Sequence, residues 1–208
     1  MISRLHAIVD VEASRRAGRA PEEVARAFLE GGARVLQVRA KSLPSAAFLA
    51  LCDAVVRAAA PFGADVIVND RVDLARMSGT AGAHVGQEDL PPGDARLLLG
   101  PSAIVGLSTH TLAQLDEAIR QPVTYVAVGP VFGTSTKDTG YEPVGLDLVR
   151  AARARVPVSI ALVAIGGITL EQAPAVVEAG ASQVAVIGDL LATGDPRRRV
   201  EAYCRALL

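Results

Sequence analysis

The stretch IALVAIGGITLEQAPAVVEAGASQVAVIG, residues 160–188, contains the pattern that decides the fold. It begins with a short apolar run, continues with a helix-like segment and ends with a second apolar run. Continuously apolar strands are typical of parallel strands buried on both faces, whereas strands with one wet face alternate between apolar and polar residues. The stretch therefore predicts two parallel strands joined by a helix.

The same unit recurs along the chain, which contains eight strand-like runs, each followed by a helix-like segment. The runs are LHAIVD, ARVLQVR, DVIVND, GAHVG, SAIVGLS, TYVAVG, IALVAIGG and SQVAVIG. Eight such units favour a closed barrel. The alternative, a doubly wound open sheet, more usually carries a glycine fingerprint after its first strand, and LHAIVDVEAS has none. We predict an α/β fold, a single (β/α)8 TIM-barrel domain over residues 1–208, in which ASRRAGRAP is a polar connection after the first strand.

Composition and charge exclude several classes of protein. The net charge is −1 and no run of Lys or Arg exceeds RRR at residues 197–199, so the basic surface of a nucleic-acid-binding protein is missing. The N-terminus lacks the features of a signal peptide, and no apolar run approaches the roughly 20 residues that a membrane helix needs. Cys52 and Cys204 are predicted to be reduced thiols, because they lack metal-like spacing. We therefore expect a soluble, cytoplasmic protein that binds neither nucleic acid nor a membrane.

Polar residues and glycines gather where the predicted strands end. In barrels of this kind the active site is built at those ends, from the loops that lead to the helices. The residues at these positions are Gln37, Arg39, Lys41, Asn69, Asp70, Asp89, Ser108, Gly166, Gly167, Ile187 and Gly188. The sixth strand leads into a long polar loop, GPVFGTSTKDTGYEP at residues 129–143, which contains Lys137. Polar residues also resume at strand ends without any function, but their combination on one rim predicts a site for phosphate and metal.

Asp70 and Asp89 end neighbouring strands, whose axes lie roughly 5 Å apart, so both carboxylates can reach one ion. Hard oxygen ligands suit Mg²⁺, which keeps several waters and takes other ligands from substrate phosphates. Asp70 has two structural alternatives, a salt bridge to Arg71 or a helix N-cap, and Asp89 has one, the N-cap of the following turn. The pair predicts a Mg²⁺ site.

Two kinds of anion site are predicted at the rim. Arg39, Lys41 and Lys137 supply the positive charge that a diphosphate needs. The glycines that end the last two strands lie where barrels often hold a phosphate on backbone N–H groups, although a tight turn without a ligand also needs glycine. An enzyme that joins a diphosphate ester to a monophosphate would use both kinds of site. Of the histidines, His84 is predicted to be structural and His110 to cap the helix that follows it.

Six segments carry a resemblance to a known family: QVRAK, VNDRVDLA, HVGQEDLP, GLSTH, GPVFGTSTK and AIGGI. In order and spacing they resemble the thiamine-phosphate synthase family, over nearly the whole chain. The resemblance implies transfer of the pyrimidinylmethyl group of 4-amino-2-methyl-5-(diphosphooxymethyl)pyrimidine to the nitrogen of a thiazole phosphate. Thiamine phosphate and diphosphate would be the products, and Mg²⁺ the cofactor.

The resemblance also implies a role for each site residue. The pyrimidine diphosphate would contact Gln37, Arg39, Lys41, Asn69, Ser108 and Lys137, of which Arg39, Lys41 and Lys137 are catalytic. The thiazole phosphate would contact Thr134, Ser135, Thr136, Gly167, Ile187 and Gly188. Asp70 and Asp89 match the Mg²⁺ ligands. The family often has a serine where this chain has Gly188, so backbone N–H groups would have to hold the phosphate there.

Two alternatives to a synthase remain open. The related thiazole tautomerase shares the barrel and the thiazole phosphate site, but it needs an acid/base group near the ring, and tautomerases similar to this family can carry a histidine in the segment matching GPVF. This chain has Pro130 there. A non-catalytic phosphate-binding protein would not need Asp70 and Asp89. The sequence leaves homo-oligomer formation open.

Overall fold

Eight parallel strands close into a barrel in the order β1 to β8, with β8 hydrogen-bonded back to β1. The structure is a computed structural model that describes residues 4–133 and 142–208. The strands are β1 (Leu5–Asp10), β2 (Val35–Arg39), β3 (Asp65–Asn69), β4 (Gly82–Val85), β5 (Ile104–Thr109), β6 (Tyr125–Val128), β7 (Ala161–Ile165) and β8 (Gln183–Val186). The predicted TIM barrel is confirmed, and each strand lies within or overlaps its predicted run.

Helices follow the strands and surround the barrel. They are α1 (Val11–Arg16), α2 (Pro21–Glu30), α3 (Ser45–Ala59), α4 (Val72–Ser78), α5 (Pro92–Leu99), α6 (Leu112–Ala118), α7 (Gly145–Arg153), α8 (Ala173–Glu178) and α9 (Pro196–Ala206). Two short 3₁₀ helices, Ala60–Phe62 and Gly188–Leu191, complete the described elements. The second of these follows β8 directly and leads toward α9.

The core has two layers, one inside the barrel and one between the strands and the helices. Inside the barrel, Ile8, Ile67, Tyr125, Ala127, Val163 and Ala185 pack against one another. The outward-facing strand residues, for example Val38 and Val68, belong to a larger cluster with the apolar faces of the helices. Burial of both strand faces explains why the strand sequences are continuously apolar.

The segment between β1 and α2 differs from the prediction. A polar connection was expected for ASRRAGRAP, but residues Val11–Arg16 form α1. Asp10 caps this helix, because its Oδ1 accepts a hydrogen bond of 2.7 Å from the Ala13 N–H, and the Ser14 hydroxyl donates to the Asp10 carbonyl at 2.7 Å. The helix therefore begins at the carboxyl end of β1, on the same side of the barrel as the predicted site.

One helical stretch has nearly the length and hydropathy of a membrane span. Residues Ser45–Phe62 form 18 residues with a mean hydropathy of 1.5, which is long and apolar enough to cross a membrane by length and composition alone. In the barrel this stretch packs between α2 and α4, and Phe48, Leu51 and Val55 are buried. Charged residues Asp53 and Arg57 interrupt the same stretch. An outer helix of a barrel accounts for this composition.

Gly82 is required by the close approach of β5. A Cβ at this position would lie 1.8 Å from the carbonyl oxygen of Ile104, a backbone atom that cannot move without breaking the sheet. We expect Gly82→Ala to lower the free energy of unfolding by roughly 3 kcal/mol. Gly93 in α5 is the control, because nothing lies within 4 Å of its added Cβ, and Gly93→Ala should instead stabilise by about 0.5–1 kcal/mol. Urea unfolding of both variants measures this; equal midpoints would contradict the barrel register.

Candidate functional site

The carboxyl ends of the strands surround a cavity of about 360 Å³. Seven of the predicted substrate-binding residues line it, and they come from strands or loops on several sides of the barrel. These residues are Gln37, Arg39, Asn69, Ser108, Gly167, Ile187 and Gly188. The structure thus brings together in one cavity residues from Gln37 to Gly188, which are separated by more than half of the chain.

Arg39 lies at the cavity wall and is held from behind by a buried acid. Its guanidinium forms an ion pair with Asp10, whose side chain is only 1% exposed, while the Arg39 side chain is 12% exposed. One Nη atom is used in this pair, so the other N–H groups of the guanidinium are available to a ligand. Glu12 holds the segment after β2, because it accepts hydrogen bonds from the backbone N–H (3.1 Å) and the hydroxyl of Ser42. The first turn of α1 therefore positions the predicted cations.

Asp70 and Asp89 lie side by side at the rim, as predicted. Asp70 has a φ of 62°, the only positive φ of a non-glycine residue among residues 4–133 and 142–208, and its N–H donates to the His84 carbonyl at 2.7 Å. Asp89 accepts a hydrogen bond of 2.7 Å from the Gly86 N–H. Burial and the adjacent Asp70 carboxylate raise the pKa of Asp89. Two carboxylates so close together repel each other unless a cation lies between or beside them.

Lys41 supplies a positive charge beside the two aspartates, because its ammonium forms an ion pair with Asp70. The structural alternatives for the two aspartates are not observed. Arg71 pairs with Asp73, at 2.9 and 2.6 Å, rather than with Asp70. Neither aspartate occupies an N-cap position, because α4 begins after Arg71 and α5 after Pro91.

The described part of the chain contains no group of three or more His, Cys, Asp or Glu side chains placed to hold a metal ion. Asp70 and Asp89 are a pair of carboxylates beside Asn69; Asn69 lines the cavity, whereas Lys41, Asp70 and Asp89 are not among the described residues that line it. This donor set fits Mg²⁺, which takes few protein ligands and completes its shell with water and phosphate oxygens.

The floor of the cavity is polar and hydrogen-bonded. His84 shares hydrogen bonds with the Tyr125 hydroxyl at 2.9 Å and with Ser108 Oγ at 2.8 Å, and its ring stacks on Tyr125 with centroids 5.5 Å apart. On the other side, Gln37 Nε2 lies 3.3 Å from Nε2 of His6. Burial raises the pKa of Tyr125, so the hydroxyl stays protonated. These bonds fix the orientations of Ser108 and Gln37, two predicted substrate contacts.

Gly106 makes room for this floor. A Cβ on Gly106 would lie 2.1 Å from Cζ of Tyr125, so only glycine lets the tyrosine ring lie inside the barrel. His110 differs from the prediction, because Thr111 and not His110 caps α6, accepting a 3.2 Å hydrogen bond from the Gln114 N–H. His110 instead lines the cavity and donates from Nδ1 to the Gly129 carbonyl at 2.6 Å.

We expect His6 to make the stability of the barrel depend on pH. Burial lowers the pKa of His6 from 6.5 to about 4, partly offset by a hydrogen bond to Gln183. Because the unfolded chain binds this proton below its pKa of 6.5, the stabilisation is complete above pH 6.5 and is lost as the pH falls toward 4. We expect the loss to reach about 3 kcal/mol. Urea unfolding at pH 7 and pH 5 should show a steeper decline for the natural chain than for His6→Asn; equal declines would contradict the burial of a neutral histidine.

The glycines at the ends of β7 and β8 form the opposite wall of the cavity. Gly166 and Gly167 have φ values of 103° and 61°, and a Cβ on Gly167 would lie 2.3 Å from the Gly133 carbonyl oxygen. The N–H of Phe132 donates to the Gly166 carbonyl at 2.9 Å, so the chain after β6 packs directly on this turn. The turn therefore requires these glycines, which also line the cavity, and the phosphate site expected on their backbone stays a prediction.

Four predicted contacts, Thr134, Ser135, Thr136 and Lys137, lie outside the described residues. The described chain before these residues borders the cavity, and the chain after them is hydrogen-bonded to it. Gly133 lines it, and the N–H groups of Val144 and Gly145 donate to the carbonyls of Pro130 and Val131 at 3.0 and 2.9 Å.

Comparison with known proteins agrees with this geometry. The family model described as thiamine monophosphate synthase matches residues 5–190. The chain belongs to this thiamine monophosphate synthase family. It is similar to the thiamine-phosphate synthase of Roseiflexus castenholzii, with 41% identity over 95% of this chain and 86% of the relative. It is also similar to that of Koribacter versatilis, with 42% identity over 99% of this chain and 96% of the relative.

A solved structure agrees as well. The thiamine phosphate pyrophosphorylase of Pyrococcus furiosus superimposes with a TM-score of 0.88 and 30% identity, over 99% of this chain and 95% of that one. The predicted membership of the thiamine-phosphate synthase family is thereby confirmed, together with the fold.

Several residues that build this site are absent from the sequence-based prediction. Asp10 ends β1 and occupies the same kind of strand-end position as Asn69 and Ser108. Tyr125 stands at the start of an apolar run, where its hydroxyl gave no separate signal. Asp189 lines the cavity next to Gly188 and was also missed.

Proposed function

We propose that the protein condenses the pyrimidine diphosphate with the thiazole phosphate in the cavity at the carboxyl end of the barrel, giving thiamine phosphate and diphosphate. The observation that carries this proposal is the convergence of seven predicted substrate contacts on one cavity in a member of the thiamine monophosphate synthase family. A cytoplasmic location is part of the proposal and fits the free thiols of Cys52 and Cys204.

The diphosphate would lie on the side of the cavity formed by the ends of β2 to β5. Cleavage of the carbon–oxygen bond ahead of nitrogen attack leaves a cation that the aminopyrimidine stabilises, so the departing diphosphate needs compensating charge more than it needs a base. Arg39 is oriented for this by Asp10. Lys41 adds a second positive charge, and Lys137, outside the described residues, is proposed as the third. Preorganised charge of this kind lowers the barrier without reorganisation during the reaction.

Asp70 and Asp89 would hold Mg²⁺ at the same edge. When bound, the ion would neutralise part of the charge on the diphosphate. The two carboxylates are already adjacent, and Asp70 keeps an unusual positive φ that points to a functional constraint on this turn. Lys41 balances the pair in the structure and would then be free to contact a diphosphate oxygen.

The thiazole phosphate would lie on the opposite side, against the backbone of Gly167, Ile187 and Gly188. No cationic side chain is needed there, since backbone N–H groups bind a phosphate well. The separation of the two walls keeps the two anions apart and places the reacting carbon and nitrogen between them. The polar floor formed by Gln37, Tyr125 and His84 would bind the pyrimidine ring.

Incubation of the purified protein with both substrates, with and without Mg²⁺, tests the proposal. Mass detection should find thiamine phosphate and an equal amount of diphosphate, and only when Mg²⁺ is present. Binding of both substrates without turnover would favour the non-catalytic alternative. Diphosphate release without thiamine phosphate would contradict the proposed condensation.

The tautomerase alternative is tested in a parallel assay. A tautomerase must move a proton on the thiazole, which requires a positioned acid/base group near the ring. Pro130 lines the cavity in the segment where similar tautomerases can carry a histidine. We expect negligible isomerisation of the thiazole tautomer alone; isomerisation without thiamine phosphate formation would overturn the assignment.

A further inference from the structure

Asp189 follows Gly188 directly and is held by two side chains of the last helix. The Arg199 guanidinium donates to both carboxylate oxygens, from Nη2 at 2.9 Å to Oδ1 and from Nε at 3.0 Å to Oδ2. The Tyr203 hydroxyl donates to Oδ2 at 2.6 Å. Because Arg199 and Tyr203 are four residues apart on α9, they lie on the same face of the helix.

The same group of side chains reaches the turn after β7. The backbone N–H of Leu170 donates to Oδ2 of Asp189 at 3.2 Å, and the Tyr203 hydroxyl lies 3.2 Å from the Ile168 carbonyl. Asp189 therefore joins the turn that contains Gly167 to the turn that contains Gly188. These are the two turns whose backbone is proposed to hold the thiazole phosphate.

The three consecutive arginines of α9 have different surroundings. The side chains of Arg197 and Arg198 are 57% and 84% exposed, whereas that of Arg199 is 15% exposed. Arg197 pairs with Glu201 on the surface. Of the three, only Arg199 pairs with a residue that lines the cavity, so the basic run is two solvated residues followed by a half-buried one.

Charge gives Arg199 a second role. Asp189 lines the cavity, and its carboxylate would repel a phosphate bound next to it. The bidentate pair with Arg199 neutralises that charge while using both carboxylate oxygens. Arg199 also lies 3.7 Å from Glu171, but the Glu171 side chain is 71% exposed, so solvent screens its charge. A phosphate beside Gly188 then meets backbone N–H groups, and the cavity-lining carboxylate behind them is paired.

We propose that Asp189, Arg199 and Tyr203 are positioning residues for the thiazole phosphate, which they hold indirectly by fixing the two turns and neutralising the carboxylate. The inference rests on the proposed function and assigns the C-terminal helix to the acceptor side of the site. Within residues 4–133 and 142–208, the hydrogen bonds and ion pairs of these three side chains go to the turns after β7 and β8 and to one another, and not to the predicted pyrimidine diphosphate contacts on β2, β3 and β5.

Arg199→Gln and Tyr203→Phe test this assignment, with Arg197→Gln as the control on the same helix. Each variant should raise the KM for thiazole phosphate, Arg199→Gln by about tenfold or more, since a hydrogen bond to a charged group is lost. The KM for pyrimidine diphosphate and kcat should change less than about twofold. Arg197→Gln should match the natural protein. Equal effects on both substrates, or no difference from Arg197→Gln, would overturn the assignment.

Direct binding separates this result from loss of folding and from failure of the proposed function. Calorimetric titration with thiazole phosphate alone should show weaker binding for Arg199→Gln. The double variant Asp189→Asn with Arg199→Gln should regain part of the affinity, because the unpaired carboxylate is gone; no recovery would contradict the charge argument. If the natural protein bound no thiazole phosphate and formed no thiamine phosphate, the proposed function itself would fail.

Discussion

Replacing Asp70 or Asp89 by asparagine should lower kcat for thiamine phosphate formation by at least about a hundredfold, because charge compensation of the departing diphosphate would be lost. Asparagine keeps the shape of the side chain and removes the charge. The two carboxylates are adjacent, and burial together with Asp70 raises the pKa of Asp89. Each variant relieves that repulsion, and Asp70→Asn also loses the partly exposed ion pair with Lys41, which contributes less than about 1 kcal/mol, so the stability of the barrel should change little.

The measurement is the initial rate at saturating substrates over a Mg²⁺ titration, with the thermal midpoint recorded for each variant. Asp73→Asn is the control, since Asp73 lies nearby on α4 and pairs with Arg71 at the surface. We expect its rate and its Mg²⁺ dependence to equal those of the natural protein. Rates for Asp70→Asn and Asp89→Asn that matched the control at limiting Mg²⁺ would remove the metal assignment.

Asp10→Ala should have the largest effect on stability. It removes the buried partner of Arg39 and the N-cap of α1 together. Breaking a buried ion pair by removing one partner costs about 3–5 kcal/mol, and losing an N-cap costs about 1 kcal/mol more. Asp10→Asn keeps an oxygen that can accept from the Ala13 N–H, so it should lose less. Both variants should raise the KM for pyrimidine diphosphate, because Arg39 is no longer oriented.

The control is again an arginine–aspartate pair, but one at the surface. Asp73→Ala breaks the exposed pair with Arg71 and should cost less than about 1 kcal/mol. Urea unfolding at pH 7 compares the three variants. If Asp10→Ala and Asp73→Ala had the same midpoint, Asp10 would not be the buried anchor of the diphosphate side.

The barrel could be predicted because its strands are buried on both faces. Continuous apolar runs such as ALVAI and YVAV are what a closed parallel sheet requires, and the presence of eight such units predicted the closure. The helix α1 was missed because its residues, including Arg15 and Arg16, look like a solvated connection. The helix forms because Asp10 is both the last residue of β1 and the N-cap of α1. The residues around Asp10 in the sequence do not show that one side chain has both roles.

The candidate site was predicted in part, because parallel strands bring their ends to one rim whatever the loops do. Asn69, Ser108 and Gly188 were found in this way. The supporting contacts were not, since they join positions far apart in the chain, such as Asp189 and Arg199 with Tyr203 on α9. A run of three arginines is usually solvated, and only packing distinguishes the third one. The spacing of four residues between Arg199 and Tyr203 places both on one face of α9, and this spacing is visible in the sequence.

The most direct test of the account is a crystal structure of the protein with thiamine phosphate, diphosphate and Mg²⁺. The account predicts both products in the cavity of about 360 Å³. The phosphate of thiamine phosphate should lie on the backbone of Gly167 and Gly188, and the diphosphate should lie between Arg39 and the Asp70–Asp89 pair. Density for the products outside this cavity would contradict the account. So would the reverse arrangement, with diphosphate on the backbone of Gly167 and Gly188 and the phosphate of thiamine phosphate beside Arg39.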